Sequence, residues 1–413
     1  MAKLPVIAGF GGINPAGRAS GHHAYRRLVI DALGDELGRN TWASLAALTG
    51  QLRKEDGQWH NSSGELIDFD NALTALTPGL EQSTLIRKLE TNLFDPSQLL
   101  YHHRASFPGS ESNPLQFEIR KKHLPSPLPP GWTVSEASSD SKHKLRITAT
   151  DNFDVLLRAY RQAPVSSAGQ LPSNFDPALL YASRNHPRAL QLTVYGASDA
   201  INSLGIDWEI IRQKVPADQF SVYACNCMGQ LDYNGFGGML QARLLGKKVT
   251  SKQLPLGFTE MPADFLNAYL LGNLGTTGAN VAACATFLYN LRLGIRDIQN
   301  GNARVVIAGT SEACLVPEVF EGFSAMGALA EDAALRTLDG LTDEQEPNYR
   351  RACRPFSENV GFTMSESAQF VVLFDDELAL ELGANIFGGV NEVFVCADGH
   401  KKSIAGPGLG NYF

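Results

Sequence analysis

The most regular stretch of the chain lies between residues 287 and 298. Apolar Phe287, Leu288, Leu291, Ile295 and Ile298 recur at the helical period, and Arg292, Arg296, Asp297 and Gln299 fill the other face. Asn300-Gly301 supplies a stop, because glycine takes the left-handed conformation that closes a helix. Residues 304–309, Arg-Val-Val-Ile-Ala-Gly, then read as a short buried strand. Upstream, residues 262–271 read as a helix, followed by a turn rich in glycine at Gly272, Gly275 and Gly278. The same pattern predicts a strand at 5–10 and a helical region at 24–50 with Leu28, Val29, Leu33 and Leu37 on one face. Short helices are expected at 177–183 and 197–201, a strand at 220–224, and a helix with a loop at 318–329. The continuous apolar run 369–374 favours a buried strand, 376–382 a helix stopped by Gly383, and 386–395 another long strand. Strands alternating with helices predict an α/β fold with both sheet faces covered.

Between 51 and 175 polar and turn residues dominate. Pro125, Pro127, Pro129 and Pro130 make a stiff linker-like run, and 135–144 is rich in Ser and Lys. The expected organisation is a globular domain from 1–50 and 176–413, with 51–175 inserted as a partly irregular surface segment. His102-His103-Arg104 is then a basic spot on a solvated loop, and His22 and His23 are solvent-exposed. Residues 339–348 read as an acidic surface loop.

Composition narrows the classes. Of the 413 residues 44% are hydrophobic and 19% charged, as in an ordinary globular enzyme, and the net charge is -8. No basic field favours nucleic acid or anionic lipid. No run of about 18 apolar residues suggests a membrane span, and the opening residues do not form a signal peptide. Six cysteines give no disulfide framework, which points to a reducing cytoplasm. Cys225-Asn226-Cys227 lacks a second ligand pair at zinc spacing, so no metal is expected. Gly9, Gly11 and Gly12 precede Asn14-Pro15, which breaks a dinucleotide fingerprint, so no NAD and no other cofactor is expected.

The candidate chemistry sits at Asn280-Val281-Ala282-Ala283-Cys284-Ala285-Thr286-Phe287. Cys284 falls on the first turn of the helix, where free N–H groups and the dipole favour negative charge, and the thiolate is the nucleophilic form. Ala283 and Ala285 leave room for a substrate carbonyl. A buried core thiol is the competing reading, and the commoner one for a free cysteine.

Four stretches together resemble the β-ketoacyl synthases, the condensing enzymes of fatty-acid and polyketide synthesis. They are Val6-Ile7-Ala8-Gly9 with the turn from Gly11 to Pro15; Ala283-Cys284-Ala285 with its helix and Ala308-Gly309-Thr310-Ser311-Glu312-Ala313; Phe323-Ser324-Ala325-Met326-Gly327-Ala328-Leu329; and Arg354-Pro355-Phe356 with Gly361-Phe362 and Glu366. The resemblance implies a thiolase-like α/β/α/β/α fold, of which this chain holds mainly the N-terminal half, and a homodimer. It makes Cys284 the nucleophile that takes an acyl group from a carrier thioester, after which a malonyl thioester is decarboxylated and its carbanion attacks the acyl-enzyme. The Cys284 backbone N–H would help hold the oxyanion. Acyl carrier protein and acyl and malonyl thioesters, on carrier or coenzyme A, are the implied partners. Glu366 is expected to be structural, holding backbone near the site, and Phe362 and Met326 to line a hydrophobic pocket or core. Lys401 and Lys402 read as a solvated pair, with attraction of an acidic carrier protein as the alternative.

The family also places two histidines in its second half. Here His400 is the only histidine after Cys284, and its flanks fit neither histidine motif. Gly235-Phe236-Gly237-Gly238 looks like the family's C-terminal loop but precedes Cys284, and so reads as a turn opening a helix. The expectation is the first part of a longer or cleaved enzyme, with a partner chain supplying the other half, or an inactive homologue, as the alternatives. The closing Gly406-Pro407-Gly408-Leu409-Gly410 reads as an interior loop. Competing functions are a thiolase-type acyltransferase using coenzyme A and a non-catalytic partner in a heterodimer, against which Cys284 argues. Gly309-Thr310-Ser311-Glu312-Ala313 lacks the last glycine of a hydrolase nucleophile elbow.

Overall fold

The computed structural model describes residues 3–137 and 143–401. Lys402, the 406–410 loop and part of the 135–144 stretch lie outside the described residues. Seven strands form one mixed sheet: β1 (Pro5–Asn14), β2 (Gly17–Arg18), β3 (Phe220–Cys225), β4 (Thr277–Gly278), β5 (Val305–Glu312), β6 (Ser367–Asp375) and β7 (Gly388–Gly389). Their order is β4-β3-β5-β6-β1-β7, with β2 on β1. β3 runs parallel to β4 and β5, whereas β6 is antiparallel to both β5 and β1.

Alternation along the strands decides what covers each face. Val222, Ala224, Val305, Ile307, Phe370, Val372 and Phe374 enter one core cluster, and Tyr223, Val306, Ala308 and Leu373 another. The helix Arg188–Asn202 packs on the first face and the helix Thr286–Gln299 on the second. Glycine makes the first contact possible: a Cβ on Gly11 would come within 2.2 Å of the Ala200 nitrogen. Both faces are therefore covered, as the sequence predicts.

Several predicted elements take another form. The 24–50 region is two helices, His23–Leu28 and Asp35–Leu48, separated by extended backbone at Leu33 and Gly34. Asp35 and Glu36 restart the second helix, since acidic side chains suit a first turn. Its buried face is Thr41, Ala43, Leu45 and Ala46, while Leu28 and Leu37 are exposed. Residues 177–183 make only one turn, Pro177–Leu179, capped by the Asp176 carboxylate. The long strand expected at 386–395 reduces to β7. There Gly388 and Gly389 pair with the edge of β1, and Phe387 and Val390 each donate one hydrogen bond to it. The helix Phe236–Gln241 opens after Gly235 as expected.

Residues 95–163 form a separate compact unit, narrower than the polar stretch 51–175. It contains an antiparallel pair, Leu99–Phe107 with Phe153–Arg161, and a three-stranded sheet. His102, His103 and Arg104 therefore lie on a strand and not a loop, and Arg104 is ion-paired with Asp154. Phe117, Trp132 and Phe153 form its aromatic centre, with ring centroids 5.1–5.2 Å apart. In the larger unit, Ile86–Lys88 pairs antiparallel with Ser167–Gly169, and the Leu89 N–H donates to Ser166 at 2.8 Å. Within the smaller unit, the Ala163 N–H donates to the Pro96 carbonyl at 2.7 Å.

Candidate active site

The parallel strands β3, β4 and β5 deliver their C-terminal ends to one rim, the side of an α/β sheet where ligands bind. Cys225 and Thr310 are in register there, and the Thr310 hydroxyl donates to the Cys225 carbonyl at 2.9 Å. Two residues further on, the Cys227 N–H donates to the Glu312 carboxylate. Burial pushes the Glu312 carboxyl up to about 7, which that one amide only partly offsets. Burial also raises the Cys227 thiol, and the nearby Glu312 and Cys284 charges add to the effect.

The loop after β4 is pinned from beneath by Asn290, which is fully buried on the following helix. Its carbonyl accepts the Asn280 N–H at 2.9 Å and its amide donates to Cys225 Sγ at 3.2 Å. Thr286, at the start of that helix, fastens the turn. Its hydroxyl accepts from the Ala282 N–H at 3.0 Å and donates to the Ala283 carbonyl at 2.7 Å. Ala283 is thereby held at φ 48°, a left-handed conformation costly for any residue with a Cβ. Cys284 follows on a single 3-10 turn, Ala283–Ala285, and its thiol-bearing side chain is exposed. Among the described residues its N–H has no hydrogen-bond partner.

The neighbouring rim, where β6 starts, is built differently. Glu366 is 1% exposed and accepts from Arg188 Nε at 2.6 Å, from Arg188 Nη2 at 2.9 Å and from the Leu171 N–H at 3.1 Å. Burial alone would lower the Arg188 guanidinium, but the bonds to Glu366 and the charges of Glu366, Asp176 and Asp232 raise it. The Arg188 N–H, at the head of its helix, donates to Asp232 at 2.6 Å. Cys314 lies between the two rims, donates to the Ser365 carbonyl at 3.2 Å, and is pushed up to about 12 by burial and then by Glu312.

The expected site residues thus divide. Cys284 is exposed at a helix start, and Glu366 is locked in an ion pair. Phe362 and Met326 are 43% and 59% exposed, so neither is core. Phe362 is laced to Ala328 and Ala330 through its backbone and meets Phe323 edge-on at 5.1 Å. His400 is exposed. Sequence reasoning assigned no role to Glu312, Asn290 or Arg188. The position of Glu312 at the end of a buried parallel strand was a usable signal, whereas Arg188 lies 178 residues from Glu366 and no local pattern joins them. Among the described residues no three His, Cys, Asp or Glu side chains gather where a metal could sit. Among the described residues no helix is long and apolar enough to cross a membrane.

The chain matches the family described as "Beta-ketoacyl synthase, N-terminal domain" over residues 157–379. Over 412 residues it is 47% identical to the Beta-ketoacyl-[acyl-carrier-protein] synthase FabY of Pseudomonas aeruginosa, covering 100% of this chain and 64% of that protein. Its structure is similar to the crystal structure of the ketosynthase FabY from P. aeruginosa, with a TM-score of 0.93 over 100% of this chain and 64% of the other. A more distant relative is the Schizosaccharomyces pombe fatty acid synthase subunit alpha, 23% identical over 445 residues, or 99% of this chain and 22% of that one. The fold is thiolase-like α/β. The chain spans 64% of the length of FabY.

Proposed function

This chain belongs to the β-ketoacyl synthase family, and from that premise we propose that it carries the nucleophile of a Claisen condensation in fatty-acid synthesis. The Cys284 thiol gives up its proton to solvent and its thiolate attacks the carbonyl of an acyl thioester; the carrier leaves as a thiolate that regains a proton from solvent, and the acyl group stays on Cys284. A malonyl thioester then loses CO2. Its carbanion attacks the acyl carbonyl, forming the carbon–carbon bond and releasing the Cys284 thiolate. In both steps the Cys284 N–H donates to the oxyanion. Covalent storage divides one hard condensation into two easier steps.

One observation supports this reading above the others: an exposed thiol on a strained turn that Thr286 fastens to the start of a helix. Its partners are acyl carrier protein and acyl and malonyl thioesters, its assembly a homodimer, and its compartment the reducing cytoplasm that suits six free thiols. Glu366 holds the neighbouring rim in place and does not touch substrate. Phe362 and Met326 line the acyl pocket.

Labelling with a thiol-directed acyl mimic, followed by peptide mapping, tests the assignment. Cys284 reacts first, ahead of exposed Cys353 and buried Cys314; equal or slower labelling of Cys284 overturns it. Cys284→Ala in the full-length protein lowers condensation by at least about 10³-fold without shifting the melting temperature. Undiminished turnover in that variant would sink the reading.

A further inference from the structure

A second set of residues, none of them in the Cys284 turn or the Arg188–Glu366 pair, surrounds a cavity of about 540 Å³. Arg18, His23 and Arg26 contribute its charge, Trp59 and Tyr195 its aromatic surface, and Asn40 a further polar group. No carboxylate lines it. Three basic side chains facing one space repel one another, and among the described residues the carboxylate that answers them is that of Asp199, behind Arg18.

The polar atoms are also short of partners. Arg18 Nε and His23 Nδ1 are buried and make no hydrogen bond. The ion-pair partner of Arg18 is Asp199, whose carboxylate is 3.7 Å away. That carboxylate is already occupied by the N–H groups of Gly12 and Ser20 and by the Ser20 hydroxyl. The half-exposed Arg26 guanidinium has no hydrogen bond or ion pair among the described residues. Burial first, and then the charges of Arg18 and Arg26, hold the His23 imidazole below its ordinary value against the opposing pull of Asp199. Buried donors without acceptors are costly, and planar guanidinium forks match the oxygens of a phosphate.

We propose that this cavity binds an organic phosphate, with its phosphoryl group against Arg18, His23 and Arg26 and its carbon skeleton against Trp59 and Tyr195. The volume supports an organic ligand, since pockets for small molecules run from about 300 to 1,000 Å³ and a bare phosphate would leave most of this one empty.

Calorimetric titration of the intact protein with phenyl phosphate, inorganic phosphate and benzoate tests the site. Phenyl phosphate binds more tightly than inorganic phosphate, and benzoate more weakly than either. Arg26→Gln weakens both phosphates by at least about tenfold. Arg26 makes no internal bond, so this variant folds even where Arg18→Gln, which disturbs Asp199, does not. Trp59→Ala weakens phenyl phosphate and spares inorganic phosphate. Three results overturn the proposal: no binding of either phosphate, unchanged binding in Arg26→Gln, or benzoate binding as tightly as phenyl phosphate.

Discussion

Glu312 and Glu366 occupy adjacent rims of one sheet, at the end of β5 and the start of β6, where Glu312 is in register with Ser367. Glu366 is buried and Glu312 is half-buried. Glu366 is enclosed by the bidentate Arg188 guanidinium and the Leu171 amide. Among the described residues no cation lies within bonding distance of Glu312; its carboxylate accepts from the Cys227 amide, and its carboxyl is pushed up to about 7. The same residue type is therefore locked in an ion pair in one place and, in the other, carries a carboxyl pushed up by burial. Satisfied buried charge marks scaffold, and unsatisfied buried charge marks the side where chemistry is expected.

Three experiments sharpen or break that contrast. The largest effect is expected from Glu366→Ala, which strands the Arg188 guanidinium and costs about 3–5 kcal/mol in chemical denaturation. Replacing both partners, Arg188→Met with Glu366→Leu, restores most of that loss. A cost under about 1 kcal/mol for the single change would remove Glu366 from the scaffold.

Next comes Glu312→Gln. The folded carboxyl, raised from 4.5 to about 7, keeps a proton that the unfolded chain has already lost between those values. Stability therefore falls as pH rises through that window, by up to about 3 kcal/mol. In Glu312→Gln this slope disappears, as urea melts at about pH 5 and about pH 8 will show. A wild-type protein whose stability is flat across the window contradicts the assignment. The smallest effect belongs to Thr286→Val, which deletes both bonds of one hydroxyl at the Cys284 turn for about 1–2 kcal/mol. Slower labelling of Cys284 should accompany it; unchanged labelling would show that the turn holds itself.

Periodicity revealed the sheet and the helix after Cys284 because their contacts are local in pattern. Leu291, Ile295 and Ile298 are buried at the expected spacing, and Val305 to Ala308 are buried on both faces. It failed where neighbours decide. The 386–395 segment is rich in Ile, Phe and Val like a strand, but β1 already pairs with β6 and offers it only a short edge. His102 to Arg104 read as loop because a sparsely buried two-stranded ladder tolerates polar residues on both faces. Residues 177–183 carry a genuine helix start in Asp176-Pro177, yet a cap says nothing of length. The chemistry of the rim was half visible. Cys284 announced itself through small neighbours and the helix that follows, whereas the partners of Glu366 and the isolation of Glu312 are products of tertiary packing.

The paired segments Ile86–Lys88 and Ser167–Gly169 carry a consequence of their own. They bring the two ends of a long excursion side by side before residues 95–163 begin. With closure already secured, each doubling of what hangs from such a stem costs only about 0.6 kcal/mol. That region is accordingly a graft point: its contents can be lengthened, trimmed or exchanged through evolution or by engineering while the seven-stranded sheet keeps its shape.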